Sequence, residues 1–355
     1  MKRIFFVTFV LSLVLVGCKQ KESNEIKIGA IIPLTGYSSI TGERFMRGME
    51  LAIDEINNEE LPFTFKALYE DSKSSAKDAN FAYRKLDGEG VKYFSGFGGQ
   101  FVLGFVSATN NSDKVLFVSA APNKNLLSLS NRCFRIYPTI NMLADMVVRH
   151  IVQQNYQHIA IINVQNEAYS MCAETVINKL KTQDIEVALF ESYDPACRDF
   201  KNIINKVANQ NVDIIFSAGL GESSAILTKQ LYANPKTMRI PIIGDMNYST
   251  PENLAIIGEI KSPIYIVDSY IDSTFVAKFQ ERYGQRPNAL SAYGYTIPFL
   301  IKEALLELGK DASAIDVYNY IKQHEFVTAA GTMSFDEESE TNLSLVIQSL
   351  LPTDN

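Results

Sequence analysis

Short apolar runs alternate with amphipathic stretches along most of the chain, and this pattern predicts strands that alternate with helices. The runs at residues 26–32, 115–119 and 159–164 have the length and composition of buried strands. Between such runs, apolar residues recur every three or four positions, as they do at residues 140–151, which is typical of amphipathic helices. Strands connected through helices form parallel sheets that are covered on both faces. The pattern therefore predicts an α/β protein.

The alternation falls into two blocks, each long enough for a sheet of its own. Residues 26–136 predict one sheet and residues 140–266 a second, and two helices follow at residues 273–283 and 289–308. Residues 332–350 return to short strands. Ligand sites in parallel sheets form beyond the carboxyl ends of the strands. The loops that follow the strands are therefore the places where a site is expected.

The N-terminal segment differs in composition from the rest of the chain. Lys2 and Arg3 precede an apolar run at residues 4–16, which is typical of a secretory signal peptide and short for a permanent membrane span. The run ends at Gly17-Cys18, a small residue before a cysteine, which resembles the processing box of bacterial lipoproteins. We expect a signal peptide at residues 1–17, a lipid anchor on Cys18 and a polar tether at residues 18–25. The alternative is an ordinary secretory signal with an incidental cysteine.

Charge and length limit the partners of the chain. Its 355 residues carry a formal net charge of −7, and removal of Lys2 and Arg3 would lower this by two, to −9. An acidic body argues against nucleic acid, which requires a basic surface. The length is sufficient for two domains. We therefore expect a two-domain monomer, held outside the cytoplasm on a bacterial membrane, that does not bind nucleic acid.

Three cysteines remain once Cys18 is assigned to lipid: Cys133, Cys172 and Cys197. Cys172 and Cys197 each follow a predicted strand in neighbouring strand–helix units. A bridge between these two is one interpretation, since an extracytoplasmic compartment permits disulfides. Three free thiols are the other interpretation, and the sequence leaves both open.

Motifs of catalysis and of metal binding are sparse. His150, His158 and His324 have no spacing typical of metal ligands, and neither does any pair of cysteines. The chain contains no Gly-x-Ser-x-Gly elbow and no Gly-Lys-Ser/Thr phosphate loop. Gly219-Leu220-Gly221 follows a predicted strand but lacks the rest of a dinucleotide fingerprint, so a tight turn explains it. We expect neither a metal nor a cofactor.

The glycine-rich loop at residues 96–100, GFGGQ, is the most informative of the loops. It follows a predicted strand and opens a helix, where backbone N–H groups converge and bind carboxylate or phosphate. A turn that needs a positive φ is the alternative explanation.

Several segments resemble the leucine/isoleucine/valine-binding protein family. The likeness is most specific at residues 26–36, IKIGAIIPLTG, at Gly42-Glu43, and at residues 47–57, RGMELAIDEIN. It continues in the family's order through LFVSAA at residues 116–121, Asp199-Phe200, Ile243-Gly244-Asp245, AYGY at residues 292–295 and GTMSFD at residues 331–336. The resemblance covers essentially the whole mature chain.

The resemblance implies a type I periplasmic binding fold, in which two Rossmann-like lobes with parallel sheets are joined by a hinge of three crossings. Lobe one would comprise residues 26–138 and 270–328, and lobe two residues 139–269 and 329–355. A solute would bind in the cleft, and closure of the lobes would bury it. The family further implies that the closed form is recognised by the membrane permease of an ABC importer, beside which the lipid anchor would hold the protein.

The resemblance also implies a set of solute contacts. On lobe one, two loops after neighbouring strands would offer backbone groups and polar side chains to a solute carboxylate. On lobe two, an aromatic would cover the solute, an acid would pair with its ammonium group, and a further loop would complete the wall. The residues at these positions are Gly98, Gly99, Gln100, Ala120, Ala121 and Asn123 on lobe one, and Tyr169, Leu220 and Asp245 on lobe two.

Three of these positions depart from the family's pattern. Gln100 and Asn123 replace hydroxyl side chains with amides, which carry both donors and an acceptor, and Leu220 provides no aromatic wall. The amides suit an amide, a urea-like head or a peptide bond. A solute without a positive group would leave Asp245 buried and unpaired. We therefore expect an amino acid or a related small amide.

Two other function classes remain as alternatives to an importer component. A sensor of the same fold would pass its ligand state to a signalling partner, and the chain itself does not separate the two. An enzyme on this scaffold is disfavoured, because the sequence offers no nucleophile–base pair and no metal constellation.

Overall fold

The computed structural model describes residues 24–36, 38–121, 124–219 and 221–351. Three of the predicted positions lie outside the described residues: Cys18, Asn123 and Leu220.

Within the described residues, lobe one contains a five-stranded parallel sheet in the order β2-β1-β3-β4-β5. Its strands are β1 (Glu25–Ile32), β2 (Thr64–Asp71), β3 (Tyr93–Phe97), β4 (Val115–Ser119) and β5 (Cys133–Arg135). The helices α1 (Ser39–Asn57), α2 (Ala76–Gly88) and α3 (Gly99–Val102) connect its first four strands. Two short 3-10 helices, at residues 106–109 and 124–129, lie within the same lobe.

Lobe two contains, within the described residues, a six-stranded sheet in the order β14-β10-β9-β8-β6-β7. Its strands are β6 (His158–Val164), β7 (Glu186–Tyr193), β8 (Ile214–Ala218), β9 (Ile242–Asp245), β10 (Ile264–Ser269) and β14 (Leu345–Leu350). Only β14 runs antiparallel to its neighbour in this sheet. The helices of this lobe are α4 (Ile140–Gln153), α5 (Glu167–Lys181), α6 (Lys201–Ala208), α7 (Glu222–Ala233) and α8 (Pro251–Ile257).

The chain returns to lobe one after β10 and adds a second group of elements there. These are α9 (Ser273–Tyr283), α10 (Ala289–Leu308), α11 (Ala314–Gln323), β11 (Phe326–Thr328), β12 (Gly331–Phe335) and β13 (Thr341–Asn342). The alternation read from the sequence therefore produces the predicted two-lobe α/β fold with parallel sheets.

Each sheet separates two apolar cores. In β6, Ile159 and Ile161 face one core, while Ala160 and Ile162 face the other. Because both faces are buried, the strands read as continuous apolar runs instead of alternating ones. The helices on either face complete the cores, so that the loops at the carboxyl ends of the strands are held on rigid elements.

The first boundary of the lobes lies between β5 and α4, and the second between β10 and α9. The third was expected between residues 328 and 329, and the structure corrects it. Ala329, Met333 and Phe335 belong to the core of lobe one, and the chain enters the sheet of lobe two only with β14. The third crossing therefore lies between β13 and β14, about fifteen residues later.

The structure also corrects the suggested bridge between Cys172 and Cys197, because both are free thiols, as is Cys133. Cys172 packs against the core on one face of the sheet of lobe two, and Cys197 packs against the core on the opposite face. The Sγ of Cys197 donates a hydrogen bond to the carbonyl oxygen of Asp199, at 3.4 Å. The sheet itself keeps the two thiols apart.

None of the helices among the described residues is both long enough and apolar enough to cross a membrane.

Candidate functional site

A cavity opens at the carboxyl end of the sheet of lobe two, next to the first crossing. It measures about 630 Å³ when the solvent that adjoins it is counted. Its walls are mainly apolar, and its polar groups come from the ends of strands, from the start of α5 and from the first crossing. The lining residues that matter for chemistry are Tyr137, Tyr169, Cys172, Ser217 and Asp245.

Tyr169 and Asp245 meet in this cavity, as the sequence predicted for two residues of one site. The hydroxyl of Tyr169 donates a hydrogen bond to Oδ2 of Asp245, at 2.9 Å. Tyr169 lies in the first turn of α5, where the side chain of Asn166 caps the helix by accepting the N–H of Ala168. Asp245 is the last residue of β9. A carboxylate oriented by a phenol in a partly apolar wall is suited to hold a cationic group.

Asp268 is a second acid at the same edge, and the sequence analysis missed it. It lies near the end of β10, one residue beyond Val267, which pairs with Asp245 of the neighbouring strand. Only 6% of Asp268 is exposed, and the N–H of Ser269 donates to its Oδ1 at 2.7 Å. Burial, reinforced by the charge of Asp245, raises the pKa of Asp268 to about 6, although Ser269 and Arg286 oppose the shift.

Three further groups surround these acids at the hinge. Tyr137 lies in the first crossing, and burial together with the charges of Asp245 and Asp268 raises its pKa above the usual range. Its ring packs edge-on against Tyr293 of α10, with centroids 6.1 Å apart. The hydroxyl of Tyr293 in turn shares a hydrogen bond with the hydroxyl of Ser269, at the second crossing. The acids of lobe two are therefore enclosed by both crossings and by a helix of lobe one.

On lobe one, the structure corrects the role expected for two N–H groups. The N–H of Gly98 donates to the carbonyl oxygen of Ser119 at 2.9 Å, and that of Gly99 donates to Ala120 at 3.4 Å. These bonds fasten the loop after β3 to the end of β4. Gly98 has a φ of +79°, so the positive-φ explanation of the glycine-rich loop holds at this residue. The two donors that were expected to hold a solute carboxylate are thus occupied within lobe one.

The loop after β4 is also held from within the lobe. Ala120 has a φ of +54°, a left-handed conformation that is strained for a residue with a side chain. The carbonyl oxygen of Ala121 accepts a hydrogen bond from Nη1 of Arg135, at 3.1 Å. This leaves one of its two lone pairs for a solute. Gln100 is exposed at the start of α3.

Asp71 organises a third loop on this edge, which the sequence analysis did not single out. Its Oδ1 accepts the N–H groups of Leu34 and Thr35, and its Oδ2 accepts the hydroxyl of Thr35 at 2.6 Å. Burial alone would raise the pKa of Asp71, but the hydrogen bonds from Thr35, Lys73 and Leu34 lower it below its usual value. A carboxylate at a strand end, followed by three serines within the next four residues, was the available sequence signal for such a loop.

Among the residues that the structure describes, no group of three or more His, Cys, Asp or Glu side chains is arranged to hold a metal ion.

Two lobes with parallel sheets, three crossings and a cleft at the carboxyl ends of the strands define the class of two-lobe binding proteins. The model of the family described as "Periplasmic binding protein" matches residues 25–344. The chain therefore belongs to this family, and the resemblance noted in its sequence is confirmed.

Individual relatives are distant. The chain is 24% identical to the Leu/Ile/Val-binding protein BraC3 of Rhizobium johnstonii over 59% of its own length and 58% of that protein. It is similar in fold to a branched-chain amino acid substrate-binding protein of Streptococcus pneumoniae in complex with isoleucine, with a TM-score of 0.78 at 17% identity over 92% and 96% of the two chains. It is equally similar in fold to a solute-binding protein of Rhodopseudomonas palustris in complex with 3,4-dihydroxybenzoic acid, with a TM-score of 0.78 at 17% identity over 92% and 93%.

Proposed function

We propose that this protein captures an amino acid or a related small amide in the cleft and presents it to the permease of an ABC importer. The observation that carries the proposal is the contact between Tyr169 and Asp245 in a cavity at the carboxyl end of a parallel sheet. An oriented acid in such a cavity suits an ammonium group, which every amino acid carries. The names of the relatives, which bind leucine, isoleucine and valine, support the same class of solute.

Hinge closure completes the site in this proposal. The cavity is lined by lobe two and by Tyr137 of the first crossing. In the closed state, the loops after β3 and β4 would provide the facing wall from lobe one. A solute that contacts both lobes favours the closed state, and it shifts the equilibrium by its difference in affinity for the two states. The closed form would be the one that the permease recognises.

The proposed place of action is outside the cytoplasm. A signal peptide at residues 1–17 and a lipid on Cys18 would hold a monomer beside its permease, where tethering raises the local concentration. In this role the protein binds its solute without transforming it.

A thermal-unfolding scan of the delipidated protein tests the proposal. Solute carried over from expression is first removed by unfolding, dialysis and refolding. A solute at a hundredfold its Kd stabilises the folded protein by roughly 2.7 kcal/mol. We expect such a shift with an amino acid or a small amide, and loss of that shift in Asp245→Asn.

The matched control is Glu259→Gln, which removes an exposed carboxylate from the same lobe. It should bind as the unchanged protein does. If benzoate or 3,4-dihydroxybenzoate shifts the melting temperature while every amine fails, the amino-acid class is wrong.

A further inference from the structure

The cavity of lobe two continues below the ends of the strands, into the space between α4 and α5. Asp245 ends β9 and lies at the carboxyl edge of the sheet. Phe216 lines the same cavity and pairs with Ile243, which lies two residues before Asp245. At a rise of about 3.3 Å per residue, Phe216 therefore lies roughly 7 Å below the end of the neighbouring strand. The cavity is thus a pocket that reaches into lobe two.

The first two turns of α4 form one side of this pocket. Ile140, Leu143 and Val147 line it, and their spacing places them on one face of the helix. Because a helix rises about 1.5 Å per residue, the three side chains span roughly 10 Å along the axis of α4. Ile140 and Leu143 are half-buried, whereas Val147 is buried. The pocket is therefore open near the start of α4 and closed at Val147.

Helix α5 forms the other side of the pocket. Tyr169 and Cys172 line it, and their spacing places Cys172 about one turn below Tyr169 on the same face of the helix. The hydroxyl of Tyr169 donates a hydrogen bond to Asp245 at 2.9 Å, so this polar pair lies at the mouth. The side chain of Cys172 is half-buried and packs against the core on this face of the sheet.

The sheet closes the pocket from behind with apolar side chains. Phe216, Ala218 and Val267 all belong to the core on this face. Ser217 lies between Phe216 and Ala218, so its side chain points to the opposite face of β8. An acid at the mouth is therefore followed, deeper in the pocket, by apolar groups and one thiol.

From this arrangement we infer that the solute is an amino acid with a long apolar side chain, which enters lobe two between α4 and α5 while the ammonium group stays at Asp245. Cys172, halfway down the pocket, sets how far that side chain reaches. The inference rests on the proposed function, because it specifies the solute of the same cavity. Each methylene that the pocket removes from water adds to the affinity. A side chain that branches close to its Cα fills less of the depth.

A series of solutes of increasing length measures this reach. L-2-aminobutyrate, L-norvaline and L-norleucine share their ammonium and carboxylate groups and differ by one methylene at each step. L-isoleucine has as many carbons as L-norleucine but a shorter, branched side chain. Isothermal titration calorimetry at pH 7 on the refolded, solute-free protein gives the Kd values. We expect the affinity to rise about fourfold per methylene, and L-norleucine to bind at least about threefold more tightly than L-isoleucine.

The variant Cys172→Leu fills the pocket below its mouth. It should weaken the binding of L-norleucine by about tenfold or more and that of L-2-aminobutyrate by less than about twofold, because only the longer chain reaches this level. The matched control is Cys197→Leu, which adds the same bulk against the core on the opposite face of the sheet. This control should bind the series as the unchanged protein does.

A reversible chemical block of the same thiol does not depend on the folding of Cys172→Leu. Methyl methanethiosulfonate converts a thiol to a methyl disulfide, and dithiothreitol removes the added group. In a Cys197→Ala background, Cys133 is buried, so Cys172 is the thiol that reacts. Burial, reinforced by the charge of Asp245, raises the pKa of Cys172 to about 12, so the labelling is slow and is followed by mass spectrometry. The labelled protein should lose affinity for L-norleucine by about tenfold or more, and dithiothreitol should restore it.

Each possible failure has its own meaning. Equal affinities along the series, or tighter binding of L-isoleucine than of L-norleucine, overturn the inference and leave the capture of amino acids intact. An equal loss of short and long solutes in Cys172→Leu and in the labelled protein does the same, because it shows a structural role for Cys172. Failure of every amino acid to bind overturns the proposed function together with this inference.

Discussion

Two aspartates near strand ends show how the surroundings of a single residue decide its chemistry. Asp71 accepts hydrogen bonds from Leu34, Thr35 and Lys73, and these hold its pKa below the usual value. Asp268 accepts a single N–H and is buried beside another acid, so its pKa rises to about 6. Asp71 therefore holds a loop in place, whereas the buried carboxylate of Asp268 would be stabilised by a positive charge.

The raised pKa of Asp268 predicts a pH dependence of stability. Because the folded state holds the proton more tightly than the unfolded chain, the contribution of Asp268 to stability falls as the pH rises from about 4 through 6, and stays low above that range. Asp268→Asn removes this effect. At pH 7 the solute-free variant should therefore be more stable than the unchanged protein, by up to about 3 kcal/mol. Urea unfolding at pH 4 and pH 7 measures the difference.

The two proteins should converge at pH 4, where Asp268 is protonated in the folded state. Glu259→Gln again serves as the control, and it should follow the unchanged protein at both pH values. A variant that is equally stable or less stable at pH 7 would show that Asp268 already has its charge compensated in the empty cleft.

The sequence predicted part of this site through family positions. Tyr169 and Asp245 were assigned to one pocket and do meet, because Asp245 ends one strand of the sheet and Tyr169 lies in the helix that follows another. Asp268 carries no signal along the chain, since its proximity to Asp245 arises only from the order of strands β9 and β10. The N–H groups of Gly98 and Gly99 were assigned to the solute, but they donate to carbonyl oxygens at the end of the neighbouring strand β4. The sequence alone does not show which acceptor lies within reach of them.

At the scale of elements, the contact between α1 and α10 shapes lobe one. A Cβ at Gly48 would lie 1.9 Å from the carbonyl oxygen of Ser291, and one at Gly294 would lie 2.1 Å from that of Phe45. The two helices are thus in contact through their backbones, and the nearest atoms are backbone atoms that cannot rotate away as a side chain could. The close approach also brings α10, with Tyr293, against the hinge.

Gly48→Ala should therefore force α1 and α10 apart. We expect the free energy of unfolding to fall by about 2 to 3 kcal/mol, since overpacking outweighs the gain in helix propensity. Gly88→Ala is the matched control, because a Cβ there meets no atom within 4 Å. The control should be neutral or more stable by up to about 1 kcal/mol. Chemical denaturation of both variants measures the change. A Gly48→Ala variant with an unchanged free energy of unfolding would contradict the close packing.

Elements with a strong local pattern were predicted well, and those that depend on tertiary packing were not. The bounds of β4, α9 and α10 agree with the sequence prediction to the residue. Helix α11 was missed although its signal is present, with Ser313 capping at the N–H of Asp316. The strands after α11 were expected, but the sequence does not tell which lobe a short strand joins. Met333 and Phe335 join lobe one, and of the described strands after α11 only β14 enters the sheet of lobe two, where it pairs with β10.

At the scale of the molecule, one buried ion pair links segments that are 205 residues apart. Arg135 ends β5, just before the first crossing, and Glu340 lies just before the third. Nε of Arg135 donates to Oε2 of Glu340 at 2.8 Å, Nη2 donates to Oε1, and Nη1 donates to Ala121 in the cleft wall. Both charged side chains are more than nine-tenths buried. The pair thus joins the starts of two crossings to a loop of the proposed site.

Glu340→Gln should destabilise the protein by about 3 to 5 kcal/mol, because it leaves the guanidinium group of Arg135 buried without a counter-charge. The double variant Arg135→Met, Glu340→Leu removes both charges and fills a similar volume, so it should regain much of that loss. Denaturation curves of the single and double variants measure the recovery. If the double variant is destabilised at least as much as Glu340→Gln, the hydrogen bonds that Arg135 makes to Ala121 and Glu340 contribute more to stability than charge compensation does.

If the double variant regains stability, its affinity for solute tests the hinge separately. Once the bond from Arg135 to Ala121 is gone, the cleft wall loses its link to the third crossing, and binding should weaken even though the fold is restored.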